Sequence, residues 1–105
     1  MRALAVSGAH RAPAAPELPT IAETLPGFTA VAWFGVLAPA GTPAAVIARL
    51  SAEFNRIIHE PDTEKQLAAI GGEPVGGSPA SFAAFIHQEI SRWIRVAKEA
   101  GIRIE

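Results

Sequence analysis

Apolar residues recur every three or four positions through two long stretches of this chain, the spacing of one face of an α-helix. The first stretch presents Val46, Ile47, Leu50, Phe54, Ile57 and Ile58. The second presents Phe82, Phe85, Ile86, Ile90, Trp93, Ile94 and Ala97. Charged residues occupy the other side of both helices, so we expect each apolar face, Trp93 included, to pack in a hydrophobic core.

Proline and glycine residues mark where the helices begin and end. Thr42-Pro43 and Ser78-Pro79 each place a hydroxyl N-cap before a proline at the first helical position, where the missing N–H costs nothing. Between them, a shorter helix restarts at Pro61 and ends at Gly71-Gly72. The last helix runs to about residue 100, and Gly101 ends it, with Ile102 placed for a Schellman motif.

The remaining apolar runs predict short strands. Arg2–Val6 is bounded by Ser7-Gly8, and residues 28–37 are continuously apolar apart from Thr29 and Gly35, as expected of a strand buried on both faces. Residues 73–75 are a short extended piece, and residues 102–104 alternate like an edge strand. The fold class is therefore predicted to be α/β, with three main helices and three or four short strands.

The segment between the first two predicted strands contains one further local signal. Thr20-Ile21-Ala22-Glu23 has the form of a capping box, in which the hydroxyl and the carboxylate each accept from the other residue's amide. The helix that it opens must be short, because Pro26-Gly27 ends it.

Composition excludes several classes of function. The chain has 105 residues, a formal charge of −1 and no cysteine, which allows one small domain or a piece of a larger one. The balanced charge predicts no nucleic-acid partner, and the missing thiols exclude disulfides and cysteine zinc sites. We expect no export signal, because the N-terminal apolar run is only about four residues long. No cofactor motif is present, and no cofactor is predicted.

The candidate catalytic groups do not form a motif. His10, His59 and His87 lack the spacing of a helical metal site and are interpreted as solvated, although a His59–Asp62 or His87–Glu89 acid–base pair stays open. No serine lies in a Gly-x-Ser-x-Gly turn. We therefore predict no enzyme, no catalytic residue and no metal site.

Two local segments have alternative interpretations. Gly76-Gly77-Ser78 precedes a helix and either caps it or presents its amides to an anion, and the cap is favoured because the lysine of a phosphate loop is missing. Trp33 and Phe34 are adjacent in a predicted strand and so point to opposite faces. Either both are buried, or one enters the core while the other faces a cleft or a second layer.

Several segments, in order along the chain, together resemble the tripartite tricarboxylate transporter receptors, the TctC-like or Bordetella uptake gene (Bug) family of solute-binding proteins. They are Leu4-Ala5-Val6, residues 18–23, Pro26-Gly27-Phe28, residues 33–43, residues 70–77 and the helix from Phe82 through Trp93. The resemblance covers the chain but only the C-terminal third of such receptors. It implies a fragment of a type II periplasmic binding protein, or venus-flytrap, fold.

This resemblance also implies a role for each part of the chain. Residues 1–28 would end the second lobe, and residues 29–105 would form a crossing strand and the C-terminal part of the first lobe. Trp33, Phe34 and Gly35 would then lie near the hinge and the ligand-binding cleft. The implied partners are a small carboxylate and membrane permease subunits, and the implied location is the periplasm. We expect weak or no ligand binding by this part alone, and the alternative function is a structural remnant that self-associates as a homo-oligomer through exposed apolar surface and strand edges.

Overall fold

The computed structural model describes residues 2–102, and these contain three α-helices, as the sequence predicts. Helix α1 spans Ala44–Ile58, α2 spans Pro61–Ala69 and α3 spans Pro79–Glu99. A short 3₁₀ helix covers Ile21–Glu23. The chain divides into two units, the first made of the residues up to Ala40 with Pro61–Glu73, and the second made of Gly41–Glu60 with the residues from Pro74 onward.

The start of α3 confirms the predicted cap, whereas the start of α1 does not. The Ser78 hydroxyl accepts from the Ser81 amide at 3.1 Å, and the Ser81 hydroxyl accepts from the Ser78 amide at 2.9 Å, with Pro79 in the first turn. For α1, the prediction that Thr42 is the N-cap is wrong by one residue. The N-cap is Pro43, whose carbonyl accepts from the Val46 and Ile47 amides and whose ring supplies no capping oxygen.

Two glycines end their helices as predicted. Gly71 has a φ of +74°, its amide donates to the Ala68 carbonyl, and the next amide donates to the Leu67 carbonyl. Gly101 has a φ of +68°, its amide donates to the Lys98 carbonyl, and the Ile102 amide donates to the Ala97 carbonyl. Both arrangements are Schellman motifs, which need a residue free to adopt positive φ and so select glycine.

The predicted strands are not formed within residues 2–102. Arg2–Val6 contributes one parallel bridge, between Val6 and Thr20, and no regular strand follows Phe28, where the Ala30 amide donates to the Ser7 carbonyl at 2.9 Å. Residues 73–75 are likewise irregular, and the edge strand predicted over residues 102–104 extends beyond the described residues. The three helices of the α/β prediction are therefore confirmed, whereas its strands are not formed within residues 2–102, because a strand needs the N–H and C=O groups of a neighbour along its whole length.

Hydrogen bonds around Thr20 organise the first unit. Thr20 is the one buried residue among those described, with 4% of its surface exposed. The predicted capping box is present. The Thr20 hydroxyl accepts from the Glu23 amide at 3.2 Å, and the Thr20 amide donates to Glu23 Oε1 at 3.0 Å. Arg11 closes the preceding loop on the same carboxylate with bonds of 2.9 and 2.8 Å, and also donates to the Pro16 carbonyl.

The predicted hydrophobic core is absent from residues 2–102. No apolar side chain there is buried, and Trp93 is about half exposed, so its assignment to a core was wrong. The helices are amphipathic as predicted, but their apolar side chains stay at least partly exposed within the described part of the chain.

Acid should loosen the Arg11–Glu23 loop closure. The Arg11 side-chain hydrogen bonds, followed by the Thr20 amide, lower the pKa of Glu23 from 4.5 to about 2. Because the folded-state pKa lies below the unfolded one, the ionised carboxylate stabilises the loop above about pH 4.5, and this stabilisation is lost as the pH falls towards 2. In an NMR titration we expect the Glu23 side-chain carbon to titrate with a midpoint near 2.

Two variants test whether Arg11 is the cause of the lowered pKa of Glu23. Arg11→Gln should move the Glu23 midpoint up towards its ordinary value, whereas Glu17→Gln, which neutralises an exposed carboxylate of the same loop, should leave it unchanged. A midpoint above 4 in the unmodified chain would contradict the loop closure.

Candidate functional site

The aromatic pair of residues 33 and 34 lies at the surface of the first unit. Phe34 is 97% exposed and Trp33 is 42% exposed, so the interpretation that buries both side chains was wrong. Gly35 is not among the glycines with positive φ, so its backbone conformation does not require glycine.

The second unit contains an open groove between α1 and the beginning of α3. Its volume is about 860 Å³, within the range of small-molecule sites. The lining residues are small, apolar or neutral and polar: Thr42, Ala44, Ile47, Ala48, Ser51, Ala52, Asn55, Gly77, Ser78 and Pro79. No cationic side chain is among them, so this groove by itself has no charge partner for a carboxylate.

Asn55 ties α1 to the loop that precedes α3. Its amide nitrogen donates to the Gly77 carbonyl at 2.9 Å, and its amide oxygen accepts from the Gly77 N–H at 2.7 Å. The same nitrogen also donates to the Ser51 carbonyl at 2.7 Å, one turn earlier on α1. One side chain therefore pairs with both backbone groups of a residue 22 positions away, and so fixes where α3 begins.

The two glycines of this loop are required by the tie. Gly76 has a φ of +66°, and a Cβ there would lie 2.5 Å from the Asn55 side-chain oxygen. Gly77 has a φ of +119°, and a Cβ there would lie 2.9 Å from the Ser81 hydroxyl. A side chain at either position would strain the backbone and clash with a hydrogen-bonded group.

The cap interpretation of Gly76-Gly77-Ser78 is confirmed. The Gly77 amide donates to Asn55, and the Ser78 amide donates to Ser81 at 2.9 Å. Two of the three amides that an anion would need are therefore already engaged.

Three polar side chains in the middle of α3 contact one another. Glu89 accepts from Arg92 at 3.1 Å and from the Trp93 indole at 3.0 Å, and the Arg92 guanidinium lies 5.2 Å from the centre of the Trp93 ring. His87 and Glu89 are two positions apart on this helix and so do not face each other. Within residues 2–102, no three histidine, aspartate or glutamate side chains come together in a way that would hold a metal.

Asn55 and Arg11 are the organising residues that the sequence did not reveal. Each acts on a partner far along the chain, 22 and 12 residues away respectively. The only local signal was the pair of glycines at 76 and 77, which indicates a tight approach but not the residue that makes it.

None of the helices within residues 2–102 combines the length and the apolar content needed to cross a membrane.

Comparisons of the sequence with a family model and with known proteins agree on one family. Residues 1–102 match the family described as "Tripartite tricarboxylate transporter family receptor". The chain is 44% identical over 101 residues to a "UPF0065 protein in tcbD-tcbE intergenic region" of Pseudomonas sp. (strain P51), covering 94% of this chain and 30% of that protein. It is 36% identical to "Protein BugT" of Bordetella pertussis, covering 100% of this chain and 32% of the relative.

A solved structure shares the same arrangement of these residues. The R. palustris protein Rpa4515, solved with adipate, superposes with a TM-score of 0.83 at 42% identity, covering 95% of this chain and 34% of that one. The chain thus spans about a third of the length of these three proteins.

Removing the Asn55 side-chain amide should release the start of α3. Asn55→Ala deletes the paired bonds to Gly77, and the loss of about 1 kcal/mol predicts amide exchange of Gly77 and Ser81 that is about five to ten times faster. Gln88→Ala, which deletes an exposed amide on α3, serves as the control and should leave both rates unchanged. Equal rates in the Asn55→Ala variant and the unmodified chain would contradict the tie.

Proposed function

Because the chain belongs to the tripartite tricarboxylate transporter receptor family, we propose that it forms part of a periplasmic receptor that binds a small carboxylate and delivers it to a membrane permease. The observation that carries this proposal is the structural match to the R. palustris protein solved with adipate, a linear dicarboxylate. The family match over residues 1–102 supports it independently.

We place Trp33, Phe34 and Gly35 beside the ligand-binding cleft of that receptor. The exposure of Phe34 supports this placement, because an aromatic side chain that remains in solvent is available to a ligand or to an opposing lobe. The boundary near residue 28, between the end of one lobe and the return to the other, is part of the same proposal.

Three arginines of this chain already pair with its own acids, which supports weak or no carboxylate binding by the chain alone. Arg11 is paired with Glu23, Arg92 with Glu89, and Arg56 with Glu53 and Glu60. A carboxylate ligand would have to displace one of these internal acids or find donors elsewhere. The groove of the second unit offers neutral groups only.

Calorimetry should therefore separate this chain from a complete receptor. Titration of the 105-residue chain with adipate and with citrate should give no binding tighter than about 1 mM, because Arg11, Arg56 and Arg92 already pair with acids of the chain and the groove of the second unit offers neutral groups only. The R. palustris receptor titrated with adipate is the positive control. A micromolar dissociation constant for the isolated chain would contradict the proposal that this chain alone lacks the groups needed to hold a carboxylate.

A second candidate function is self-association through apolar surface, which the exposed side chains favour. The large apolar residues exposed on the chain include Leu4, Leu25, Val31, Phe34, Val36, Leu37, Ile70, Val75, Ile90 and Trp93. Exposed apolar surface of this kind marks protein–protein contact sites.

Light scattering should then show a homo-oligomer. We expect the mass of the isolated chain to exceed 11.0 kDa at micromolar concentrations and to fall on dilution. Raising the salt concentration to about 0.5 M should not dissociate it, because salt screens ion pairs but not apolar contacts. A mass of 11.0 kDa at every concentration would contradict self-association.

A further inference from the structure

A further open groove, separate from the one between α1 and the beginning of α3, lies along the polar side of α3. Its volume is about 410 Å³, and it is lined by His87, Gln88, Ser91, Arg92 and Arg95. We propose that this α3 groove is a docking site for an acidic segment of a partner protein, whose carboxylates bind to the two guanidinium groups. The proposal goes beyond solute binding and does not depend on which solute the receptor takes.

The residues of the α3 groove share one face of the helix. From Gln88 to Arg95 they follow one another at steps of three and four, whereas Ile86 and Trp93 belong to the apolar stripe on the other side. A surface that packs against the apolar stripe therefore leaves the α3 groove accessible. The groove is complete within this chain, since every residue that lines it belongs to α3.

Arg92 is ordered before any partner binds. Its guanidinium donates to Glu89 at 3.1 Å and lies 5.2 Å from the centre of the Trp93 ring, and the Trp93 indole donates to the same carboxylate at 3.0 Å. The bond to Glu89 uses one of several N–H donors of the guanidinium, so others remain for a second acceptor. Because the side chain is already held, a carboxylate that binds to it costs less conformational entropy.

Arg95 supplies a second, unpaired charge. It is exposed, and its side chain makes no ion pair or hydrogen bond with the described residues. The helix dipole accounts for Lys98, the basic residue of the last turn, but not for Arg92 and Arg95, because its effect falls off within that turn. The two acids of α3, Glu89 and Glu99, do not line the groove, so its charge is positive.

This chemistry favours a protein segment over a membrane surface or a phosphate. Clusters that bind anionic lipids carry about four to eight lysines and arginines, whereas α3 carries three. A phosphate site uses free backbone amides at a helix start, whereas amides in the middle of a helix are bonded within it. The groove from residue 87 to residue 95 extends about 12 Å along the helix, which about four residues of an extended segment would span.

Titration of the full chain with a glutamate peptide about six residues long tests this proposal. In about 20 mM salt we expect a dissociation constant of about 0.1 mM by NMR, with amide shift changes centred on residues 87–95. Raising the salt to about 0.2 M should weaken binding about tenfold, because exposed charges are screened. Linked carboxylates reach both guanidinium groups at once, so this binding is compatible with the weak binding expected for adipate. A glutamine peptide of the same length is the control and should not bind.

Arg95→Gln is the diagnostic variant. It removes the unpaired charge from an exposed helical position, so the affinity for the glutamate peptide should fall about fivefold or more while the circular dichroism stays unchanged. Arg95→Lys, which keeps the charge, should bind the peptide within about threefold of the unmodified chain. Arg49→Gln, which removes an exposed arginine from α1, is the matched control and should have no effect.

Four results would overturn the proposal. They are equal binding of the glutamine and glutamate peptides, equal affinity of Arg95→Gln and the unmodified chain, shift changes centred on another helix, and binding to phosphatidylglycerol vesicles that exceeds binding to the peptide. None of them bears on adipate binding by a complete receptor, so failure of this proposal is distinguishable from failure of the proposed function.

Discussion

Burial of apolar surface supplies most of the free energy of folding, and residues 2–102 obtain little of it. What holds each unit is a set of local hydrogen-bonded devices: two capping boxes, two Schellman motifs, the Arg11–Glu23 closure and the Asn55 tie. A helix cap or the Asn55 tie contributes on the order of 1 kcal/mol, and short helices without tertiary packing are marginal in water. The stability of the units therefore depends on what covers their apolar faces.

This constraint explains which features could be read from the sequence. Ser78-Pro79 and Gly71-Gly72 act on amides and carbonyls within a few residues, so their signals were sufficient and the helices lie where they were predicted. Residues 28–37 carry an equally clear strand signal, but a strand is completed only by a neighbour. The prediction that Trp93 lies in a core failed for a similar reason. An apolar stripe on a helix is buried only where another apolar surface packs against it.

The long-range hydrogen bonds of Asn55 and Arg11 could not be predicted from the spacing of residues along the sequence. Asn55 looks like an ordinary helical residue on the edge of an apolar face, and only the folded loop shows that both backbone groups of Gly77 meet its amide. By contrast, the ordered set of segments from Leu4 to Trp93 was sufficient to identify the family, because a family is recognised by sequence order and not by completed contacts. For Trp33 and Phe34, the structure shows that both side chains are exposed, and their position beside a cleft is a proposal.

The heat capacity change of unfolding tests the central claim most directly, because it measures how much apolar surface is buried. A fully packed domain of 105 residues would give about 1.3–1.6 kcal/mol/K. For the dilute monomer of this chain, differential scanning calorimetry should give less than half of that value, with a broad transition. A sharp transition with the full heat capacity change, in a sample shown to be monomeric, would contradict the account.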